Sequence, residues 1–493
     1  MALGLAALTA LSWGNVQNPQ TPIPKSTAEY YASPEGKGEK CSQNNPCSLA
    51  TALSGKNKLL HPGDTLWLRG GTYYGAFTSY LQGTQNSPVI VRQMPGERAI
   101  IDGGNSQGKA IFTVSGNYTW FWGFEVMSSD PKRVSASDSS QPPDISRGEG
   151  VLFDQTAGHG VGTKLINLVI HDTRQGVSFW KEAEDSEVYG CIIYNNGWDG
   201  PPDGRGHGHG IYVQNETGTK RILDNIIFHQ FSHGIHAYGS SSASLNNLYF
   251  RGNILFDSGA PSVFGLERNV LIGGGTVAQN ITFVQNYTYG SVTKFGYHAP
   301  VSGLTMTDNY LATNSNTLEL SATDVRMNGN TYIGGQTNNT RGFSESSYPN
   351  NQYVTTRPKG VYIVVRPNYY EPGRANIAIY NWELKNSVAV DLSRVLKGGD
   401  SFEICDVENY FGSPVATGVY SGAPVTINMA SLNATMQPIG LRNKIAHTGV
   451  EFGAFVLTSG LKSSLLTSQF KRKKARSNST EGGFVFRLPI AVH

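Results

Sequence analysis

Short apolar runs between polar turns recur through the middle of the chain. NLVIHDT (167–173), GCIIYNN (190–196), DNIIFHQ (224–230) and GNILFDS (252–258) share one pattern. Each has a polar residue, an aliphatic or β-branched run, an aromatic or His, then a polar turn. Their starts lie 23, 34 and 28 residues apart, and QNYTYGS (285–291) is a weaker copy. A second series runs between them: GEGVLFD (148–154), RQGVSFW (174–180), GHGIYVQ (208–214) and SHGIHAY (232–238). Runs this short, bounded by turn residues, read as strands. One such unit cannot bury its apolar face alone, whereas stacked units share a continuous core. The pattern therefore predicts an all-β chain whose units are coils of a parallel β-helix.

The second series can be aligned on Gly150, Gly176, Gly210 and Gly234, where glycine permits a bend that a Cβ resists. Val151, Val177, Ile211 and Ile235 then form one inward column, and Phe153, Phe179, Val213 and Ala237 another, because strand side chains alternate between faces. Leu152, Ser178, Tyr212 and His236 point outward, followed by Asp154, Trp180, Gln214 and Tyr238. Asn225 and Asn253 fall in register at a turn, where stacked Asn side chains can bond from coil to coil. The 34-residue interval is one coil plus an insertion, NGWDGPPDGRGHG (196–208), whose Gly, Pro and charge mark a protruding loop.

Composition agrees with coils and tight turns. There are 58 glycines in 493 residues, about 12%, and only 15% charged residues, against roughly 7% and 25% in ordinary domains. Hydrophobic residues at 39% exclude global disorder. A net charge of +3 gives no reason to expect a nucleic-acid partner. MALGLAALTALSWG resembles the apolar core of a secretory signal, without a basic start, and is too short to span a bilayer. No later stretch is long and apolar enough to do so. Export would suit a local disulfide between Cys41 and Cys47 across SQNNP. Cys191 and Cys405 lie in apolar runs and read as buried.

The start adds a resemblance. EYYASPEGKG (29–38), PCSLATAL (46–53) and PGDTLWLRGGTYYG (62–75) give a strand, a short capping helix and a first coil. This resembles the secreted right-handed parallel β-helix proteins of the polysaccharide lyase and glycosidase type, the pectin-lyase-like superfamily. GHGHGIYVQN (206–215) resembles a stretch recurring in bacterial β-helix proteins. The aspartate-rich calcium set of pectate lyases and the paired aspartates of polygalacturonases are not recognisable. The resemblance covers about 28–335 and implies a carbohydrate-active or carbohydrate-binding protein.

The expected organisation is a signal-like segment and linker (1–27), a β-helix (28–335) and a polar linker (336–360). A β-sandwich (361–460) follows, formed by alternating strands such as VYIVVRP and ANIAIYNW. The last segment (461–493) contains the basic run KRKKAR and reads as a solvated tail. A secreted monomer is expected.

Five of the chain's 11 histidines lie within residues 207–236. His209, His233, His236, Tyr212 and Tyr238 are candidate acids or bases. Arg174 is a candidate for charge neutralisation, and Asp199 and Asp203 are candidate catalytic carboxylates. Trp180, Gln214, Lys181, Trp198, Arg205, His207 and Glu267 are candidate substrate contacts, because aromatic faces beside polar groups suit sugar rings. His209 and His233 also align with Glu149 and Gln175, a stack that can serve turn backbone instead. A uronate lyase needs a neutralised carboxylate, a base for the C5 proton and an acid for the leaving oxygen. A hydrolase needs two carboxyls at a set separation, drawn from Asp154, Asp172, Glu182, Glu267, Asp199 and Asp203. His, Tyr and cations cluster without a clear carboxylate pair, so the expected function is a lyase. The alternatives are a glycoside hydrolase and a non-catalytic cell-surface β-helix. No metal set is indicated: His207 and His209 lack an assigned third ligand. A divalent cation such as Ca2+ is left open as cofactor.

Overall fold

The computed structural model describes residues 23–460, apart from 56–58, 107–108, 138, 140, 201–204, 336–338 and 442–443. The signal-like segment, Asp203 and the basic tail thus lie outside the described residues.

Three long parallel sheets of 11, 10 and 11 strands wrap one core. Successive coils contribute a strand of two to seven residues to each sheet. The aligned series forms the middle of the 10-stranded sheet, called here the second sheet. Its register is Val151↔Val177↔Ile211↔Ile235↔Val270. Val151, Phe153, Val177, Phe179, Ile211, Val213, Ile235 and Ala237 are completely buried in the coil interior. The other series forms the third sheet, with Val169–His171 paired to Ile192–Tyr194, then Ile226–Phe228 and Ile254–Phe256.

The aligned glycines act differently from the sequence expectation. A Cβ at Gly176 would lie 2.3 Å from the carbonyl oxygen of Gly210, and one at Gly210 would lie 2.6 Å from that of Gly234. Close stacking of coils, rather than a bend, excludes a side chain there.

A buried asparagine ladder fixes one corner. Nδ2 of Asn225 donates to Oδ1 of Asn253 (2.9 Å), and the chain continues through Asn286 (2.9 Å), Asn309 (3.2 Å), Asn330 (2.7 Å) and Asn351 (2.8 Å). Each side chain thus meets the next coil in a site closed to water, where an unpaired amide would be costly. At the N-terminal end, Leu49–Leu53 forms the expected short helix, capped by the Ser48 hydroxyl. Cys41 and Cys47 form a disulfide, and Cys191 and Cys405 are buried outside it.

The expected linker is partly β-helix. Thr340–Arg341 pairs with Leu318–Leu320, and Gln352–Val354 pairs with Thr331–Ile333. These strands are only two and three residues long. Asn351, at the end of the ladder, holds the last coil in place.

Beyond them, antiparallel strands form a five-stranded sheet in the order Val361–Pro367, Arg374–Asn381, Phe452–Ser459, Ser401–Asp406, Ala416–Val419. Ser387–Val390 and Val425–Asn428 make a second sheet across its outer face. Ile377, Ile404 and Leu457 pack toward that pair with Val388 and Ile427. The opposite face, with Ala378, Tyr380 and Val456, packs on the third sheet of the β-helix. Arg374–Asn381 is therefore buried along its whole length. His171, Tyr194, Phe228 and Phe256 stack ring on ring beneath this cover, at centroid separations of 4.7, 5.2 and 4.8 Å.

Candidate active-site cleft on the second sheet

The outward face of the second sheet carries a cleft of about 260 Å³. The insertion forms one wall. Trp198–Asp199 pairs antiparallel with Gly206–His207, so the Trp198 and His207 rings stack at 5.1 Å. Tyr212 lines the cleft and pairs in register with Ser178 and His236 of the same outward column. Glu149, Gln175, Trp180 and Arg205 complete the lining used below.

Three histidines meet at one point. The backbone N–H of His233 donates to Nδ1 of His209 at 3.3 Å. This places the His209 proton on Nε2, which lies 3.0 Å from Nδ1 of His236. Donation along that contact puts the His236 proton on Nε2, an atom without a partner. His233 stacks on His209 at 5.2 Å, and its Nδ1 lies 3.5 Å from a Glu267 oxygen. Burial, with Arg205 and Arg268 nearby, pushes His236 down to about 3. Burial and the neighbouring histidines hold His209 well below the usual histidine range as well. The cluster is neutral at neutral pH.

Tyr212 contacts Trp180 at 5.3 Å and His236 at 5.1 Å, ring to ring. Burial pushes its phenol up to about 12. Arg174 is buried, and its Nε and Nη2, one edge of the guanidinium, have no hydrogen-bond partner. Its Cζ lies 5.2 Å from the Trp198 ring centre. Glu149 accepts from the Ser178 hydroxyl at 2.6 Å, and burial raises its carboxyl above the usual carboxylate range against the lowering effects of Ser178 and Arg174.

The remaining expected residues divide. Asp199 accepts from the Ser262 hydroxyl (2.6 Å) and the Val263 amide (3.0 Å), so both its oxygens hold the neighbouring loop. That loop exposes Val263, Phe264 and Leu266 beside the cleft. Lys181 pairs with Glu216 at 3.0 Å, away from the cleft lining. Gln214 donates to the Tyr238 carbonyl at 3.3 Å, and Tyr238 touches His236 at 5.5 Å. Asp154 bonds Ser115, Thr156 and His159, and its carboxyl, held down mainly by those hydrogen bonds against burial, falls to about 2. Asp172 lies elsewhere, in a buried ion pair with Arg133, and His171 and His229 sit under the C-terminal sheet. Glu149 and Gln175 enter the cleft although the sequence marks them only as a polar stack. Their alignment with His209 and His233 was the available signal.

Among the described residues, no group of three or more His, Cys, Asp or Glu side chains is arranged to hold a metal ion. No helix among them is long and apolar enough to cross a membrane.

Comparison with known proteins bears on the fold. The model of the right-handed β-helix region family matches residues 134–265, which contain the cleft. No curated protein matches the sequence. Among solved structures, pectate lyase Pel9A is similar at 18% identity and TM-score 0.45, over 62% of this chain and 80% of its own. A rhamnogalacturonan lyase is similar at 13% identity and TM-score 0.44, over 67% and 87%. An alginate lyase from Paenibacillus sp. str. FPU-7 is similar at 16% identity and TM-score 0.33, over 67% and 99%. The family match agrees with the three parallel sheets in giving a right-handed parallel β-helix.

Proposed function

We propose that this chain is a secreted polysaccharide lyase that cleaves a uronate-containing polymer along the second sheet. The unpaired Nε–Nη2 edge of Arg174 carries the reading. A buried guanidinium edge with two free N–H donors matches a carboxylate in bidentate geometry. The surroundings also favour an acidic chain. Arg205 lines the cleft beside Arg174, whereas Arg268 and Lys294 on later coils are paired with Glu267 and Glu319.

The chemistry is a β-elimination. Arg174 neutralises the uronate carboxylate, which makes the C5 proton more acidic. Glu149, with its raised carboxyl, takes that proton. The C5–H electron pair forms the C4–C5 double bond as the C4–O4 bond breaks. O4 leaves with a proton from Tyr212, which stays protonated at neutral pH, and the His236 Nε2–H donates a hydrogen bond to it. The Trp180 face stacks the neighbouring ring.

Hydrolysis fits less well. Glu149 and Glu267 are separated by four coil spacings in the paired register. At about 4.8 Å per coil this is roughly 19 Å, beyond the roughly 6.5–9.5 Å that an inverting pair spans. Asp199 is committed to Ser262 and Val263.

Steady-state assays on polygalacturonate, alginate and glucuronan test the reading. Arg174→Lys keeps the charge and loses the fork, so kcat/KM on the cleaved polymer should fall about a hundredfold. An Arg174→Lys enzyme as active as wild type would remove the basis of the proposal.

A further inference from the structure

A second and larger cavity, about 610 Å³, lies at the seam between the β-helix and the C-terminal sheet. That is within the roughly 300–1,000 Å³ of typical small-molecule sites. It shares no lining residue with the second-sheet cleft. The coils supply Arg92, Trp122, Glu125 and Asn167, and the C-terminal part supplies the segment Tyr370–Arg374 with Glu403 and Thr458.

The walls keep unused hydrogen-bonding capacity. Nε of Arg92, Nδ2 of Asn167, Nε of Arg374 and Oγ1 of Thr458 are buried and have no partner. Asn167 and Arg374 are 3% and 7% exposed, so these amide and guanidinium groups are nine-tenths buried. Their other atoms are fixed. Oδ1 of Asn167 accepts from Asn368 at 2.8 Å, and Nη1 of Arg374 lies 3.7 Å from Glu371. Arg374, Thr458 and Glu403 are cross-strand neighbours, so three polar side chains stand in a row on the sheet face turned to the coils. Buried donors without partners are rare in folded proteins, because each costs about 1–3 kcal/mol. Four such groups on residues lining one cavity, two from the coils and two from the C-terminal sheet, indicate a ligand that supplies the acceptors.

The charge pattern identifies its class. Three guanidinium groups (Arg92, Arg98, Arg374) face four carboxylates (Glu97, Glu125, Glu371, Glu403) around the cavity. The signs nearly cancel, so a polyanion is disfavoured. A ligand must accept from the N–H groups and can donate to Glu403, since Glu97, Glu125 and Glu371 are already bound by Arg69, by Arg98 and His171, and by Trp122. Sugar hydroxyls do both. We infer that the seam cavity is a binding site for a neutral di- or trisaccharide, chemically distinct from the cation-lined cleft on the second sheet.

The proposal does not depend on the lyase reading. Calorimetric titration of the full chain with maltotriose, cellotriose, xylotriose, mannotriose and trigalacturonate tests it. A neutral trisaccharide should bind. Thr458→Val and Arg92→Met should each weaken that binding about tenfold, the loss of one well-made hydrogen bond, and His236→Ala should leave it unchanged. Hydrogen exchange on the wild type serves as a check free of variants: the bound sugar should protect residues 92–98 and 371–374. Absence of binding by every neutral sugar, tighter binding of trigalacturonate at these residues, or loss of binding in His236→Ala with the seam variants unaffected would each overturn it.

Discussion

His236 carries its proton on Nε2 because its other nitrogen is occupied by His209. Burial removes the charged form down to about 3, whereas the Tyr212 phenol is held up at about 12. Neither group titrates across the working range. Burial lifts the Glu149 carboxyl above the ordinary 4.5. The kcat profile should therefore show an acid limb above the usual carboxylate range and no limb near the histidine value of 6.5. His236→Gln should lower kcat about a hundredfold and leave that limb in place. A limb that disappears with His236 would assign the titrating base to the wrong residue here.

At the scale of elements, two devices hold the groove. The asparagine ladder joins six coils, and Asn286 both donates to and accepts from its neighbours. Asn286→Ala leaves Asn253 with a lost partner and should cost about 1–3 kcal/mol, read as a lower denaturant midpoint. A change within a few tenths of a kcal/mol would contradict the ladder's structural role. Asp199 ties the insertion to the Ser262 loop. Asp199→Asn should lower kcat/KM about tenfold with little change in thermal midpoint, since it loosens a wall and not the core. Much of this level was legible in the sequence. Period-two strands and their register follow from the aligned apolar columns, and Tyr212 and His236 fall on the outward side by parity alone. What parity cannot show is side-chain commitment. Asp199 and Lys181 are charged residues near the cleft, yet their partners Ser262 and Glu216 come from elsewhere in the chain. Glu149 was masked for a similar reason, because a polar column at a strand entrance serves turn backbone as readily as substrate. The last coil was hidden by its length, two- and three-residue strands being too short for a pattern.

The whole molecule depends on the seam between coils and C-terminal sheet. His171 lies 3.0 Å from Glu125 and 2.8 Å from Asp172. Burial alone would lower it, but these two carboxylates raise it from 6.5 to about 9. Glu408, 3.7 Å from His229 and 3.5 Å from His447, is pushed by burial from 4.5 to about 7. Both folded values lie above the unfolded ones, so the folded state binds more protons in these windows and stability falls as pH rises. The Glu408 contribution is lost between 4.5 and about 7, and that of His171 between 6.5 and about 9. The buried histidines held below 6.5 act in the opposite sense until they are neutral in both states, so the thermal midpoint should decline only above about pH 7.5, toward pH 9, and His171→Gln should flatten that decline. A midpoint rising through this range would refute the sign.

The central claim is elimination in the second-sheet cleft. Its most direct test is incubation of the full chain with a panel of uronans while the ultraviolet absorbance of unsaturated uronate and the new reducing ends are read in one sample. Elimination predicts equal molar amounts of both from at least one polymer, and neither from His236→Ala at a comparable rate. New reducing ends without the absorbance, or no product from any uronan, would contradict it.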